Sequence, residues 1–188
     1  MQPDNDDRQA IHRLKEGDIG GLELLVARYQ AKAVRTAFLV THDEAMAEDV
    51  VQDVFVRFFE RADCFDETRS FGPYFMRSVV NTALNAVQRE KKGNRLQEED
   101  TSELETLLDK AASVDEQVES ASLNRQILEA LSKLPPRQRA VIVQRYYLEM
   151  SEKEMAEALE APAGTVKWLL NKARNRLRSL LGSERMAE

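Results

Sequence analysis

Leu134 to Leu181 reads LPPRQRAVIVQRYYLEMSEKEMAEALEAPAGTVKWLLNKARNRLRSLL, and this stretch decides the fold. Three helical segments can be read in it, joined by short turns. The first starts after Pro135-Pro136 and runs to Tyr147. The second opens at Ser151-Glu152-Lys153-Glu154, a capping box with Ser151 as N-cap and Glu154 at N3. After the turn 160–163, the third runs from about Gly164 to Leu181. Its residues Val166, Leu169, Leu170, Ala173, Leu177, Leu180 and Leu181 form one apolar stripe. Lys167, Trp168, Asn171, Lys172, Arg174, Asn175 and Arg178 lie off it. No Asp or Glu occurs between Gly164 and Gly182. A basic amphipathic helix alone would more often be an ordinary solvated face. A capped helix, a short turn and a basic helix in series instead favour a helix-turn-helix, a shape that fits the major groove of DNA. Lys and Arg bond guanine edges or phosphates, and Asn pairs with adenine. Trp168 sits about 200° from Val166 at roughly 100° per residue. It touches DNA, covers a partner surface, or packs on a neighbouring helix, and the last two together outweigh the first.

The chain has 188 residues, room for one domain or two small ones, with 43% hydrophobic and 32% charged residues. No apolar run approaches a membrane span, and the first residues, MQPDNDDRQA, do not form a signal peptide. The chain is therefore expected to remain in the cytoplasm without inserting into a membrane. Cys64 is the single cysteine, which excludes an intramolecular disulfide; a redox sensor is one reading of it, and a buried or bland thiol is the expected one. The two histidines, His12 and His42, have no ligand spacing, so no metal site is expected. There is no Gly-rich phosphate loop and no nucleophile elbow. No cofactor and no catalytic residue are expected, and the chain does not read as an enzyme.

The N-terminal half also reads as helical. Ile11, Leu14, Leu22, Leu25, Val26 and Tyr29 recur at helical spacing over 8–40, interrupted by Gly17, Gly20 and Gly21. A second helix begins near Asp43, with the stripe Met46, Val50, Val51, Val54, Phe55, Phe58 and Phe59. Residues 62–70 read as a loop. A long helix runs from about Pro73 to Lys92, because proline suits a first turn and Gly93 suits a stop. Aromatic and polar residues interleave from Phe65 to Arg89. Phe65, Arg69, Phe71, Tyr74, Phe75, Arg77, Asn81, Asn85 and Arg89 could stack on unpaired bases and bond their edges. A helical core with a polar rim is the plainer reading of that pattern when it stands alone.

Composition shifts between 97 and 119. Nine acidic residues face the single base Lys110, a net charge of −8, and aromatics are absent. This reads as a solvated acidic linker with at most a transient helix. A sharper reading has the strip compete with DNA for the basic faces on either side.

Both halves resemble one family, the extracytoplasmic-function sigma factors of bacterial RNA polymerase. Asp49-Val-Val-Gln-Asp-Val-Phe-Val-Arg-Phe-Phe59 is similar to region 2.2. Phe71-Gly-Pro-Tyr-Phe-Met-Arg-Ser-Val-Val-Asn-Thr-Ala-Leu-Asn85 is similar to regions 2.3 and 2.4. Leu134-Pro-Pro-Arg-Gln-Arg139, Ser151-Glu-Lys-Glu-Met-Ala156 and Gly164-Thr-Val-Lys167 are similar to region 4. The resemblance implies an all-α chain of two small helical domains. Residues 8–95 would form the region 2 bundle, 96–120 a flexible acidic linker, and 121–182 the region 4 helix-turn-helix. It further implies that Asp49, Gln52, Asp53, Phe55 and Arg57 dock on the β′ clamp helices of core polymerase. Phe65, Arg69, Ser70, Phe71, Tyr74, Asn81 and Asn85 would open and read the −10 element as single strand. Thr165, Lys167, Trp168, Asn171, Lys172 and Arg174 would read the −35 element as duplex. The β flap would sit on region 4, and an anti-sigma factor would hold the protein inactive, at the inner face of the membrane in some cases. Three departures stand out. Tyr74 replaces a tryptophan, Glu160 replaces the glycine of the helix turn, and Trp168-Leu169 replaces Ser-Arg.

Two other readings compete. A helix-turn-helix regulator acting without polymerase would need a dimer on symmetric half-sites, and no dimer helix is apparent. An enzyme with Asp49 and Asp53 pairing on one helix face as a metal site lacks any supporting histidine.

Overall fold

A computed structural model describes residues 3–93 and 117–184. Among them the regular structure is helical throughout. The first helices are α1 (Pro3–Lys15), α2 (Gly20–Thr41), α3 (Glu44–Glu60) and α4 (Phe71–Gly93). After the gap come α5 (Gln117–Ser132), α6 (Pro136–Ile142), α7 (Glu152–Ala158) and α8 (Ala163–Glu184). A short 3₁₀ turn spans Ala62–Cys64, and Val143–Tyr147 continues α6 as a π turn. No described helix is both long and apolar enough to cross a membrane. Most of the acidic stretch lies outside the described residues, and with it the reading that it competes with DNA. Its last residues, from Gln117, already belong to α5, and α1 starts before the expected residue 8.

Local chemistry sets the boundaries. Asp43 caps α3 by accepting from the Met46 N–H at 2.7 Å, which moves the expected start by one residue. Ser151 and Glu154 form the full capping box at the start of α7. Gly21 allows α2 to lie on α1, because a β-carbon there would come 2.1 Å from the Ala10 carbonyl oxygen. A buried polar contact pins the same pair of helices. The Asp7 carboxylate, nearly inaccessible, accepts from Arg28 and from the Tyr29 hydroxyl.

The N-terminal core centres on aromatic rings. Phe71 is 1% exposed and lies 4.7 Å from Phe58, 5.2 Å from Phe75 and 5.2 Å from Tyr29, centre to centre. Phe55 and Phe65 complete the cluster. The C-terminal core is built from Leu131, Leu134, Val141, Ile142, Met155, Val166, Leu169, Leu170 and Ala173. The two bundles meet. Helix α6 packs against α2 and α4, and Leu128, Ala140 and Val143 join the N-terminal core.

That seam carries buried polar groups. Both ring nitrogens of His42, the Arg139 Nε and the Gln144 amide have no hydrogen-bond partner among the described residues. Each such group costs about 1–3 kcal/mol relative to its hydrated state. Burial, reinforced by the Arg139 guanidinium, pushes the His42 imidazole down to about 3. A depressed histidine stabilises the fold above its unfolded value of 6.5 and loses that stability as pH falls. Lowering the pH from 7 to 5 should therefore cost about 1–2 kcal/mol through this residue. Thermal melts at the two pH values should show a smaller loss for His42→Gln than for the parent chain. An equal loss would remove His42 as the cause.

Candidate nucleic-acid interface

The helix-turn-helix is built on α7 and α8. Helix α7 ends in a Schellman motif. The Ala161 N–H reaches the Ala156 carbonyl at 3.0 Å, and the Glu160 N–H points to the Glu157 carbonyl at 3.4 Å. This motif needs a left-handed residue at Glu160, whose φ is +49°. Glycine adopts that conformation without cost, whereas a residue with a β-carbon is strained there.

Helix α8 buries Val166, Leu169, Leu170 and Ala173 against the C-terminal core. Thr165, Lys167, Trp168, Asn171 and Lys172 are all exposed on its outer side. Trp168 is 54% exposed, which overturns the reading that it packs on a neighbouring helix. The Lys172 ammonium lies over its ring, 4.4 Å from the centre. Arg174 instead turns back, and its Nε donates to the Tyr146 hydroxyl at 2.8 Å.

On α3, Asp49, Gln52, Asp53 and Arg57 are exposed, and Asp53 pairs with Arg57. Phe55 is buried, so any partner contact there falls to its neighbours. Val56 and Phe59 are exposed on the same helix, although Phe59 reads as part of the apolar stripe. Val56 had a signal, since an apolar residue off the stripe has no core to enter. Asp49, Gln52, Asp53, Val56 and Arg57 border a cleft of about 490 Å³ between α3 and α4 that also includes Asn85 and Arg89.

The loop before α4 divides in two. Phe65 and Phe71 are buried in the aromatic cluster and cannot stack on bases from there. They support the loop. Arg69, Ser70 and Tyr74 are exposed. Lys15, at the end of α1, fastens the loop from behind. Its ammonium donates to the Phe65 carbonyl at 2.8 Å and pairs with Glu67 at 2.8 Å. That contact holds the Glu67 carboxyl below the usual carboxylate range. Cys64 is exposed, which removes the buried form of the expected buried or bland thiol.

The polar side of α4 faces the C-terminal bundle. Asn81 donates to the Ala158 carbonyl at 2.6 Å, and Arg77 donates to the Glu157 carbonyl. Asn81 and Asn85 share a crevice with Glu160 and Thr165. Arg69, Ser70, Tyr74 and Arg77 line a larger cleft of about 750 Å³. Its other wall includes Glu149, Glu154 and Glu157. Arg77 reads in the sequence as one of the polar residues offered to unpaired bases, whereas its bond to α7 depends on a contact 80 residues away.

Comparison with known proteins follows the same division. Residues 25–93 match Sigma-70 region 2, and residues 124–177 match Sigma-70 region 4. An RNA polymerase sigma-E factor of Streptomyces avermitilis is 32% identical, over 90% of this chain and 90% of that protein. The chain belongs to the extracytoplasmic-function sigma factors. The ECF RNA polymerase sigma factor SigW of Bacillus subtilis is 27% identical, over 93% of this chain and 96% of that protein. Two solved structures share the fold. One is CnrH in complex with the cytosolic domain of CnrY, with a TM-score of 0.63 and 24% identity over 95% of this chain and 98% of that one. The other is the sigma factor RpoE of Bartonella quintana in complex with the anti-sigma factor NepR. Its TM-score is 0.66, with 20% identity over 85% of this chain and 96% of that one. The protein is thus an alternative sigma factor that directs promoter-specific transcription, a transcription initiation factor. A match to region 2 also accounts for α3, which a regulator acting without polymerase leaves unexplained.

The left-handed turn of this sigma factor yields a simple test. Glu160→Gly removes the β-carbon strain of about 1–2 kcal/mol but adds unfolded-state entropy. A net gain of about 0.5–1 kcal/mol is expected in denaturant unfolding. A loss would mean that the Glu160 side chain makes a stabilising contact.

Proposed function

We propose that the two bundles read different promoter elements in different states. Helix α8 reads the −35 element as duplex, through Thr165, Lys167, Trp168, Asn171 and Lys172. The observation that carries this reading is the outer side of α8, where every one of these side chains is exposed with no acidic residue among them. Lys167 and Lys172 supply charge for guanine edges and phosphates, and Asn171 suits adenine. Trp168 adds an apolar face suited to a thymine methyl. Arg174 has a lesser role while its guanidinium is held by Tyr146.

The −10 element is read as single strand by Arg69, Ser70, Tyr74, Asn81 and Asn85, with Phe65 and Phe71 as the buried base of that surface. Tyr74 is the aromatic available for stacking, being 42% exposed. Core polymerase is met by Asp49, Gln52, Asp53 and Arg57 on α3, together with Val56 and Phe59. An exposed apolar pair beside charged neighbours is a fitting surface for the β′ clamp helices. The β flap meets region 4. As a polymerase subunit, the protein works in the cytoplasm.

An anti-sigma factor is the expected inhibitor. Complexes of CnrH with CnrY and of RpoE with NepR support this partner class. An apolar groove of about 770 Å³, lined by Val34, Phe38, Ile127, Leu131, Tyr146 and Leu181, offers it a seat. Such a partner could also hold the protein at the inner face of the membrane.

The test is to mix the chain with core polymerase and ask for promoter-specific transcription. Lys167→Ala with Lys172→Ala should weaken binding to the −35 duplex by about ten- to hundred-fold, with core binding retained. Loss of core binding instead would move α8 from DNA to polymerase.

A further inference from the structure

In this structure the surface proposed to read the −10 strand is already occupied, and its occupant is the chain's own region 4. Asn81 is spent on the Ala158 carbonyl at 2.6 Å. Arg77, one turn earlier on the same side of α4, is spent on the Glu157 carbonyl. Both acceptors end α7, where a helix leaves carbonyls without intrahelical donors and carries partial negative charge. The cleft beside them is matched in charge. Lys32, Arg69 and Arg77 line one wall, and Glu149, Glu154 and Glu157 the other. A nucleic-acid strand would present the same features as α7 does: carbonyl-like acceptors for amide and guanidinium donors, and a run of negative charge.

We infer that region 4 inhibits the free protein by seating the end of α7 and its glutamates on the single-strand-binding side of α4. The inference rests on the −10 reading given above. Geometry makes the closed form incompetent for a promoter. Elements near −35 and −10 are separated by about 25 base pairs, roughly 85 Å at 3.4 Å per pair. In the closed form, Thr165 at the start of α8 borders the same crevice as Asn81. The two readers cannot span the promoter until α7 leaves α4. The seam is suited to opening, because the His42 ring nitrogens, the Arg139 Nε and the Gln144 amide are buried in or beside it without hydrogen-bond partners among the described residues, and regain water when it parts.

Arg77→Ala separates this latch from a plain DNA contact, since the two predict opposite signs. Removing a positive charge from a strand-binding surface normally weakens binding. Removing a latch frees the surface. The full chain is labelled at the exposed Cys64 and at a cysteine introduced by Ser179→Cys, and the label distance is followed by energy transfer. The probe strand is a 12-nucleotide single strand from the non-template −10 region of a promoter that the holoenzyme transcribes. The parent should give a short distance and weak binding. Arg77→Ala should lengthen the distance and bind the strand about five-fold more tightly, about 1 kcal/mol at tenfold per 1.4 kcal/mol. Glu149→Gln with Glu157→Gln should act in the same direction. Glu152→Gln, a neutralisation on α7 outside the cleft, should have little effect. The inference is overturned if Arg77→Ala leaves the distance unchanged, or if it binds the strand equally or less well. The distance tests closure alone, whereas failure of the holoenzyme to bind the same strand would overturn the −10 reading instead.

Discussion

The burial of Phe71 and the rings around it is the constraint on which both bundles depend. Phe71, Phe75, Val79 and Val80 commit one side of α4 to the core. A helix has only one opposite side, so Arg77, Asn81 and Asn85 must project away from that core. The same cluster holds Phe65 and Tyr74, and thereby the loop and first turn of α4 that present Arg69, Ser70 and Tyr74. Tyr29 ties it to α2 and, through Asp7, to α1. The polar surface of region 2 is therefore a consequence of its aromatic core.

This explains which parts could be read in the sequence. Periodicity gave the stripes of α3 and α8, because neighbours three and four residues apart share a side whatever the rest of the chain does. The capping box at Ser151 was legible for the same reason, since both partners lie within one turn. The fate of an aromatic residue was not legible. Phe65 and Phe71 looked available to unpaired bases, and both are buried. Trp168 reads as a partner contact, a DNA contact or a packing residue, and it is half exposed. Whether a ring enters a core depends on elements far away in sequence, such as α1 and α2 beneath the loop. The bonds of Arg77 and Asn81 cross about 80 residues and leave no local pattern.

Charge shows a similar division between local and global readings. A net charge of −6, taken as a sum, opposes DNA binding. Screening limits each charge to about 8–10 Å at ordinary salt, so the sum matters less than the neighbours. The outer side of α8 is locally basic. The glutamates at 149, 154 and 157 act locally too, toward the cleft that contains Arg69 and Arg77. One domain thus carries a basic side on α8 and an acidic side turned to the partner domain.

The chemistry of the seam sets how firmly the bundles hold one another. The α7 terminus has carbonyls to satisfy in either state. Within the Schellman motif the Ala156 carbonyl receives the Ala161 N–H and the Glu157 carbonyl the Glu160 N–H, whereas Ala158 accepts from Asn81. When the bundles part, water replaces the side-chain donors at those carbonyls, and Asn81 and Arg77 are hydrated in turn. Such an exchange leaves a net of only about 0.5–1.5 kcal/mol per bond, somewhat more for a charged donor. Apolar contacts of Leu128, Ala140 and Val143 favour closure, while the His42 ring nitrogens, the Arg139 Nε and the Gln144 amide, which have no hydrogen-bond partner among the described residues, oppose it. A contact balanced in this way can be displaced by a partner that binds only the open form, and polymerase with its promoter offers contacts of that kind.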